Sequence, residues 1–191
     1  MKVLALLGSP RKKGNTESLL RAVLEGVVAG GGSPELVRLC DLHIDPCIGC
    51  GGCAKTGRCV LADDMQGLYP KIDEAHRVIL ASPIYFYGIT AQAKAFVDRC
   101  QAMWSAKHLC LKKGEWRPDP KRKGFLVAVA ATQGARVFEG AILTARYAFD
   151  AMGLAYGGEF VVKGFDGPKE AARDMTTLAR AREAGEKFMA D

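Results

Sequence analysis

Short unbroken apolar runs alternate along the chain with longer stretches in which apolar residues return every three or four positions. "KVLALLG" (2–8) is a continuous apolar run closed by a glycine, the pattern of a buried parallel strand. After the polar loop "SPRKKGN", the residues Leu19, Leu20, Val23, Leu24, Val27 and Val28 recur at helical spacing from Thr16 until Gly30, Gly31 and Gly32 stop them. "ELVRLC" (35–40), "RVILAS" (77–82), "GFLVAVAA" (124–131) and "YGGEFVV" (156–162) read as further strands. Between them, Asp63 and Asp64 open a helix to about Ala75 that Pro70 would disturb outside the first turns. Ala91, Ala95, Phe96, Cys100 and Met103 mark another helix. A third runs from about Val137 to Met152, ended by Gly153, and an Ala- and Arg-rich helix from about Lys169 closes the chain.

Five strands alternating with helices predict an α/β fold, with a parallel sheet covered on both faces and right-handed crossovers. Residues 1–191 read as a single domain. Such sheets bind ligands at the carboxyl ends of their strands, where the winding reverses, so the loops after strands one, three and four are the places to look.

Composition sharpens the picture at two points. The apolar opening is too short for a signal-peptide core and no stretch approaches membrane-spanning length, so the chain reads as cytoplasmic, with no membrane partner. In that reducing compartment the seven cysteines lean toward metal, redox or burial rather than disulfides. The net charge is +6, and seven Lys or Arg against two acids fall between Lys107 and Lys123. This basic excursion, 106–123, reads as a solvated surface loop, with an acidic partner or a nicotinamide phosphate as the functional alternatives. No nucleic-acid motif accompanies it, so no nucleic-acid partner is expected.

Three segments carry candidate chemistry. "GSPRKKGNTES" (8–18) joins a buried strand to a helix, so backbone amides and the positive helix end offer an anion site, with Ser9, Asn15 and Thr16 as donors and Arg11 as a charged partner. It is neither a Walker loop, since Asn15 stands where the lysine would be, nor a G-x-G-x-x-G turn. After the third strand, "SPIYFYG" places Tyr85, Phe86 and Tyr87 where the chain turns outward, with Pro83 setting the turn, and such a ledge suits a planar ligand such as isoalloxazine. "AATQGAR" (130–136) should complete that pocket through Thr132, Gln133 and Gly134.

The third segment, within the cysteine-rich loop 42–61, sets Cys47, Cys50, Cys53 and Cys59 at C-x2-C-x2-C-x5-C spacing. Zinc sites usually pair two separated knuckles. Three cysteines this close fit three corners of a cubane cluster, with the fourth reaching over, and Gly49, Gly51, Gly52 and Gly57 permit positive φ and leave amides near inorganic sulfur. An empty thiol set and a bound zinc stay open. Cys40, Cys100 and Cys110 read as small buried apolar residues. His43, His76 and His108 are scattered and no Gly-x-Ser-x-Gly elbow is present, so acid–base catalysis has no support and no catalytic side chain is assigned.

"GSPRKKGNT" followed by "SPIYFYGITAQAKAFVDR" (82–99) resembles the flavodoxin-like NADPH-dependent FMN reductases, and with the cysteine run between them the chain is similar to their iron–sulfur flavoprotein branch. The resemblance implies a flavodoxin-like three-layer sandwich with strand order 2-1-3-4-5. It implies FMN, its phosphate held by Ser9, Arg11, Gly14, Asn15 and Thr16, and its ring lying along Pro83, Ile84, Tyr85, Phe86 and Tyr87. It also implies one [4Fe–4S] cluster on the four cysteines, and a homodimer or homotetramer. The expected function is an FMN-dependent oxidoreductase passing electrons between flavin, cluster and an external small-molecule or protein redox partner, with NAD(P)H as a possible substrate. A cluster-free NAD(P)H-dependent FMN or quinone reductase and a non-enzymatic electron carrier are the alternatives.

Overall fold

A computed structural model describes residues 1–190. Five strands, β1 (Lys2–Leu7), β2 (Ser33–Arg38), β3 (Arg77–Pro83), β4 (Lys123–Ala130) and β5 (Ala155–Lys163), form one sheet in the order 2-1-3-4-5. Every neighbouring pair is parallel. The helices are α1 (Asn15–Ala29), α2 (Cys53–Thr56), α3 (Met65–Glu74), α4 (Ala91–Arg99), α5 (Gln101–Lys112), α6 (Glu139–Ala151) and α7 (Met175–Ala190). The flavodoxin-like arrangement expected from the sequence is therefore present.

Alternate residues of the central strands feed two apolar layers. Val3, Ala5 and Leu7 pack with Leu19, Leu20, Val23 and Val27 of α1 and with Ala181 and Phe188 of α7. Leu4 and Leu6 face the other way, into a layer built with Leu68, Ile72, Phe96, Ala141 and Phe149 from α3, α4 and α6. On the first face, α1 and α7 touch backbone to backbone: a Cβ at Gly26 would fall 1.9 Å from the Arg182 carbonyl oxygen, and one at Gly185 would fall 2.0 Å from that of Val23. Two glycines thus set how closely these helices cross.

Three boundaries and one helix interior differ from the sequence pattern. The second strand ends at Arg38, and a 3-10 turn over Leu39–Asp41 takes Cys40 out of it to bury Leu39. The helix expected through Met103 is two helices, because the Cys100 amide turns back to the Val97 carbonyl at 3.0 Å in a tight 3-10 turn. The last helix begins at Met175 rather than near Lys169, since the Asp174 carboxylate takes both the amide and the hydroxyl of Thr177, each at 2.9 Å, as an N-cap. Pro70 is the sixth residue of α3 and solvent-exposed, and the helix runs through it.

Candidate cofactor sites at the carboxyl edge

The turn from β1 into α1 creates an anion-facing surface by leaving a helix end open. Gly14 stands at the N-cap in extended conformation and no side chain caps the first turn, so neither Asn15 nor Thr16 spends its side chain on the helix amides. Ser9, Arg11, Gly14, Asn15 and Thr16 line a hollow of about 120 Å³ together with Pro83, Ile84 and Tyr85. Val129, Ala131, Phe165 and Asp166 complete its wall. The loop after β5 carries the last two, and nothing in its composition marked it as part of the site.

Asn15 differs from its expected use as a donor. Its amide nitrogen donates to the carbonyls of Gly167 at 2.9 Å and Phe165 at 3.5 Å, and its oxygen accepts from the Ala171 amide at 3.1 Å. The side chain thereby ties the loop after β5 to the start of α1. Below the turn lies Glu17, also unforeseen. It accepts from the Lys13 amide at 2.7 Å, from Arg21 at 2.7 Å and from Arg38 at 2.8 Å. Burial alone would push its carboxyl up, but the Arg21 hydrogen bond, the Lys13 amide and the charges of Arg21 and Arg38 outweigh that and hold it below the usual range.

The aromatic segment is a two-residue hairpin. Tyr85 and Gly88 exchange backbone hydrogen bonds at 2.9 and 3.0 Å, with Phe86 and Tyr87 both at positive φ, 49° and 64°. Such a turn normally takes Asn and Gly, and each bulky residue held there costs on the order of 1–3 kcal/mol. Only Tyr85 of the three aromatics lines the hollow. Phe86 points wholly into solvent, and Tyr87 leans over the following loops: a Cβ at Gly134 would meet its hydroxyl at 2.5 Å, and one at Gly140 its carbonyl oxygen at 2.7 Å. Thr132 and Gln133 are exposed and lie outside the hollow, while Gly134 accepts from Lys163 Nζ at 2.7 Å. A buried latch joins the two loops, since Thr90 donates to the Gly8 carbonyl at 2.6 Å and caps α4 by accepting from the Ala93 amide at 3.2 Å.

The cysteine loop hangs from a clamp. His43 and Asp64 are doubly bonded to each other by hydrogen bonds, the His43 amide donating to the Asp64 side-chain carboxylate at 2.7 Å and the Asp64 amide to the His43 carbonyl at 3.0 Å. The Asp45 amide donates to Asp63 at 3.0 Å. Asp63 is therefore a buried anchor rather than only a helix-opening acid, and Arg99 grips it with two nitrogens while donating to the Asp45 carbonyl at 2.9 Å. Burial pushes the Asp63 carboxyl up, but the Arg99 bond and the Asp45 and Met65 amides prevail and hold it low. The ends of the loop, eighteen positions apart, are thus pinned together.

Within that clamp, Cys47, Cys50, Cys53 and Cys59 all line one cavity of about 460 Å³, roofed by Arg99, Trp104 and Ser105. Cys53 opens the short helix α2, and Ser105 donates to its Sγ at 3.5 Å. Gly49, Gly51 and Gly57 have positive φ as expected, but Gly52 is right-handed and is small for a different reason: a Cβ there would meet Val60 Cγ1 at 2.8 Å. Among the described residues no three or more His, Cys, Asp or Glu side chains gather closely enough for a single metal ion. A cubane cluster binds its four thiolates to four separate irons and spreads them wider than one ion does. Four thiolates around one cavity, with glycine-rich backbone beside them, fit that group by donor chemistry. Cys100 is buried as expected, whereas Cys40 and Cys110 are only half-buried.

The basic segment is not a uniformly solvated loop. Residues 106–112 belong to α5 and Lys123 to β4. Lys107 pairs with Asp150 at 2.8 Å and lies 4.9 Å from the Trp116 ring centre, and Arg122 donates to the Ile72 and Ala75 carbonyls. Lys107, Trp116 and Arg122, with Cys59 and Tyr69, wall a second cavity of about 550 Å³.

A sequence profile described as NADPH-dependent FMN reductase matches residues 1–162. The chain belongs to that family. Most of the curated relatives it matches are iron–sulfur flavoproteins: one from Methanocaldococcus jannaschii is 41% identical over 103 residues, 54% of this chain and 53% of the relative. One from Archaeoglobus fulgidus is 44% identical over 99 residues, 52% of this chain and 45% of the relative. The chain thus spans about half the length of these curated relatives. A solved NAD(P)H:quinone oxidoreductase from Methanothermobacter marburgensis, 17% identical, superposes with a TM-score of 0.69 over 97% of this chain and 94% of its own, a likeness of fold. This is a family of flavin-dependent oxidoreductases. Among the described residues no helix is long and apolar enough to cross a membrane.

Proposed function

We propose that the chain is an FMN-dependent oxidoreductase that passes electrons between a flavin, a [4Fe–4S] cluster and an external small-molecule or protein partner. The observation that carries this reading is the convergence of Cys47, Cys50, Cys53 and Cys59 on one cavity of a clamped loop, on a fold whose first turn presents an open helix end. FMN and the cluster supply the redox chemistry when bound. The chain's own residues bind and orient them.

The hollow of about 120 Å³ is of phosphate rather than whole-flavin size, so what the protein encloses is the anionic end. Backbone amides of Gly14, Asn15 and Thr16, the Ser9 hydroxyl and the Arg11 guanidinium would hold it. Pro83, Ile84 and Tyr85 would bound the ring on the sheet side, with the strained Phe86–Tyr87 turn and the loop 132–134 at its rim. Cys47, Cys50, Cys53 and Cys59 would ligate the cluster. Because the cofactors carry the redox chemistry, no side chain is obliged to act as an acid or base. Self-association as a homodimer or homotetramer belongs to the same reading, and exposed Leu143 and Tyr147, one turn apart on α6, are an apolar pair that such an interface would cover.

The test is anaerobic purification with iron, sulfide and flavin analysis. The expected result is one FMN with about four irons and four sulfides per chain and a broad brown absorbance. Flavin without iron supports the cluster-free NAD(P)H-dependent reductase instead, and no retention of added FMN overturns both readings.

A further inference from the structure

We infer that Arg99 is the positioning residue of the four-cysteine cavity, its buried guanidinium favouring the more reduced state of the iron–sulfur cluster held there. The inference rests on the cluster reading above and goes beyond it, from which residues ligate to which residue sets the potential.

A fully buried arginine is uncommon, and this one has a side-chain exposure of 0%. Its two terminal nitrogens are committed to Asp63 and to the Asp45 carbonyl. Its Nε is buried with no hydrogen-bond partner within the chain, and an unpaired donor in such a place is costly. Arg99 lines the same cavity as the four cysteines. A guanidinium keeps its charge even when buried, and Asp63 lies against it as the counter-ion.

The surrounding charges give the pair a direction. Asp63 neutralises Arg99 overall, yet only the arginine borders the cavity, so the positive end of this buried dipole faces the thiolates. Asp98, the one acid on the cavity wall, is engaged by Lys94 at 2.7 and 2.9 Å. A cluster on four thiolates is anionic and gains a further negative charge when it takes up an electron. A nearby cation therefore stabilises the reduced form more than the oxidised one. Arg99 also positions the ligands themselves, because it holds Asp45, two residues before Cys47, and shares the cavity wall with Cys59.

The test is a redox titration of the reconstituted holoprotein, followed by electron paramagnetic resonance for the cluster and by visible absorbance for the flavin. In the double variant Arg99→Gln with Asp63→Asn, which leaves no orphan charge, iron content stays full and the cluster becomes harder to reduce. At the ambient potential where the wild-type cluster is half reduced, the oxidised-to-reduced ratio rises about tenfold, equivalent to roughly 59 mV for one electron. The flavin potential stays where it was. Arg99→Lys, which keeps the charge, recovers most of the shift. Asp63→Asn alone, which leaves the cation without its counter-ion, moves the cluster the opposite way, and this sign decides the matter should the double variant fail to hold iron. An unmoved cluster potential in iron-loaded variants, or equal shifts in Arg99→Lys and the double variant, overturns the role of Arg99 and leaves the cluster reading intact. A wild-type protein that takes up no iron overturns the cluster reading and this inference together.

Discussion

The loops 8–18 and 42–61 leave the same carboxyl edge of the sheet and are held in opposite ways. The first is short, running from a buried strand directly into a fifteen-residue helix, so regular structure on either side dictates its shape and leaves the helix amides open. Its side chains mostly brace neighbours, as Asn15 does for the loop after β5 and Glu17 for Arg38. The second contains only the four-residue helix α2 and owes its shape to the pinning of its two ends by Asp63, Asp64 and Arg99. One site is made by secondary structure and the other by a buried ion pair. Their failures should therefore be separable.

The largest effect separates them by chemistry. Cys53→Ala, at the head of α2, should abolish stoichiometric iron while leaving FMN bound in full, as read by metal and flavin analysis of the same sample. Loss of flavin along with iron would show that the loops are one unit.

Breaking the clamp comes next. Asp63→Ala leaves a buried guanidinium unpaired and should lower the unfolding free energy by about 3–5 kcal/mol in a urea titration. Hydrogen exchange should quicken across 42–61 far more than in 8–18. Even acceleration over both loops would contradict the separation.

For the first loop, Arg11→Ala would remove the charge-assisted phosphate contact proposed above, worth about 1.5–3 kcal/mol, and should raise the FMN dissociation constant roughly ten- to hundredfold by fluorescence quenching. Iron content should not change.

The smallest effect is a pH dependence. The carboxyl of Glu17 is depressed in the folded protein, so the stability it contributes is present above its ordinary value of about 4.3 and is lost as pH falls through the folded value. Glu17→Gln should cost about 1–2 kcal/mol near neutrality, and the deficit should shrink below pH of about 4 in thermal melts. A deficit independent of pH would mean that packing rather than charge is lost.

Much of this was readable along the chain, and the divisions are physical. A buried parallel strand must be apolar throughout and a surface helix must repeat every three or four residues, so the order of elements and the fold class followed from local pattern alone. The anion-facing turn and the cysteine spacing were legible for the same reason, since each lies within a few consecutive residues. The pairings across the chain were not. Asn15 meets Gly167 and Asp63 meets Arg99 only after the sheet is assembled, and no local pattern distinguishes such a partner from a surface residue. Likewise Phe86 and Phe96 are both phenylalanines following the third strand, yet the first is fully exposed on a strained turn and the second fully buried. The sequence by itself determined which segments are strands and helices and which loops are candidates to hold ligands. Tertiary structure decided which side chains remain free for a cofactor and which are consumed in holding those loops, because burial and hydrogen-bond partnership are properties of residues distant in the chain.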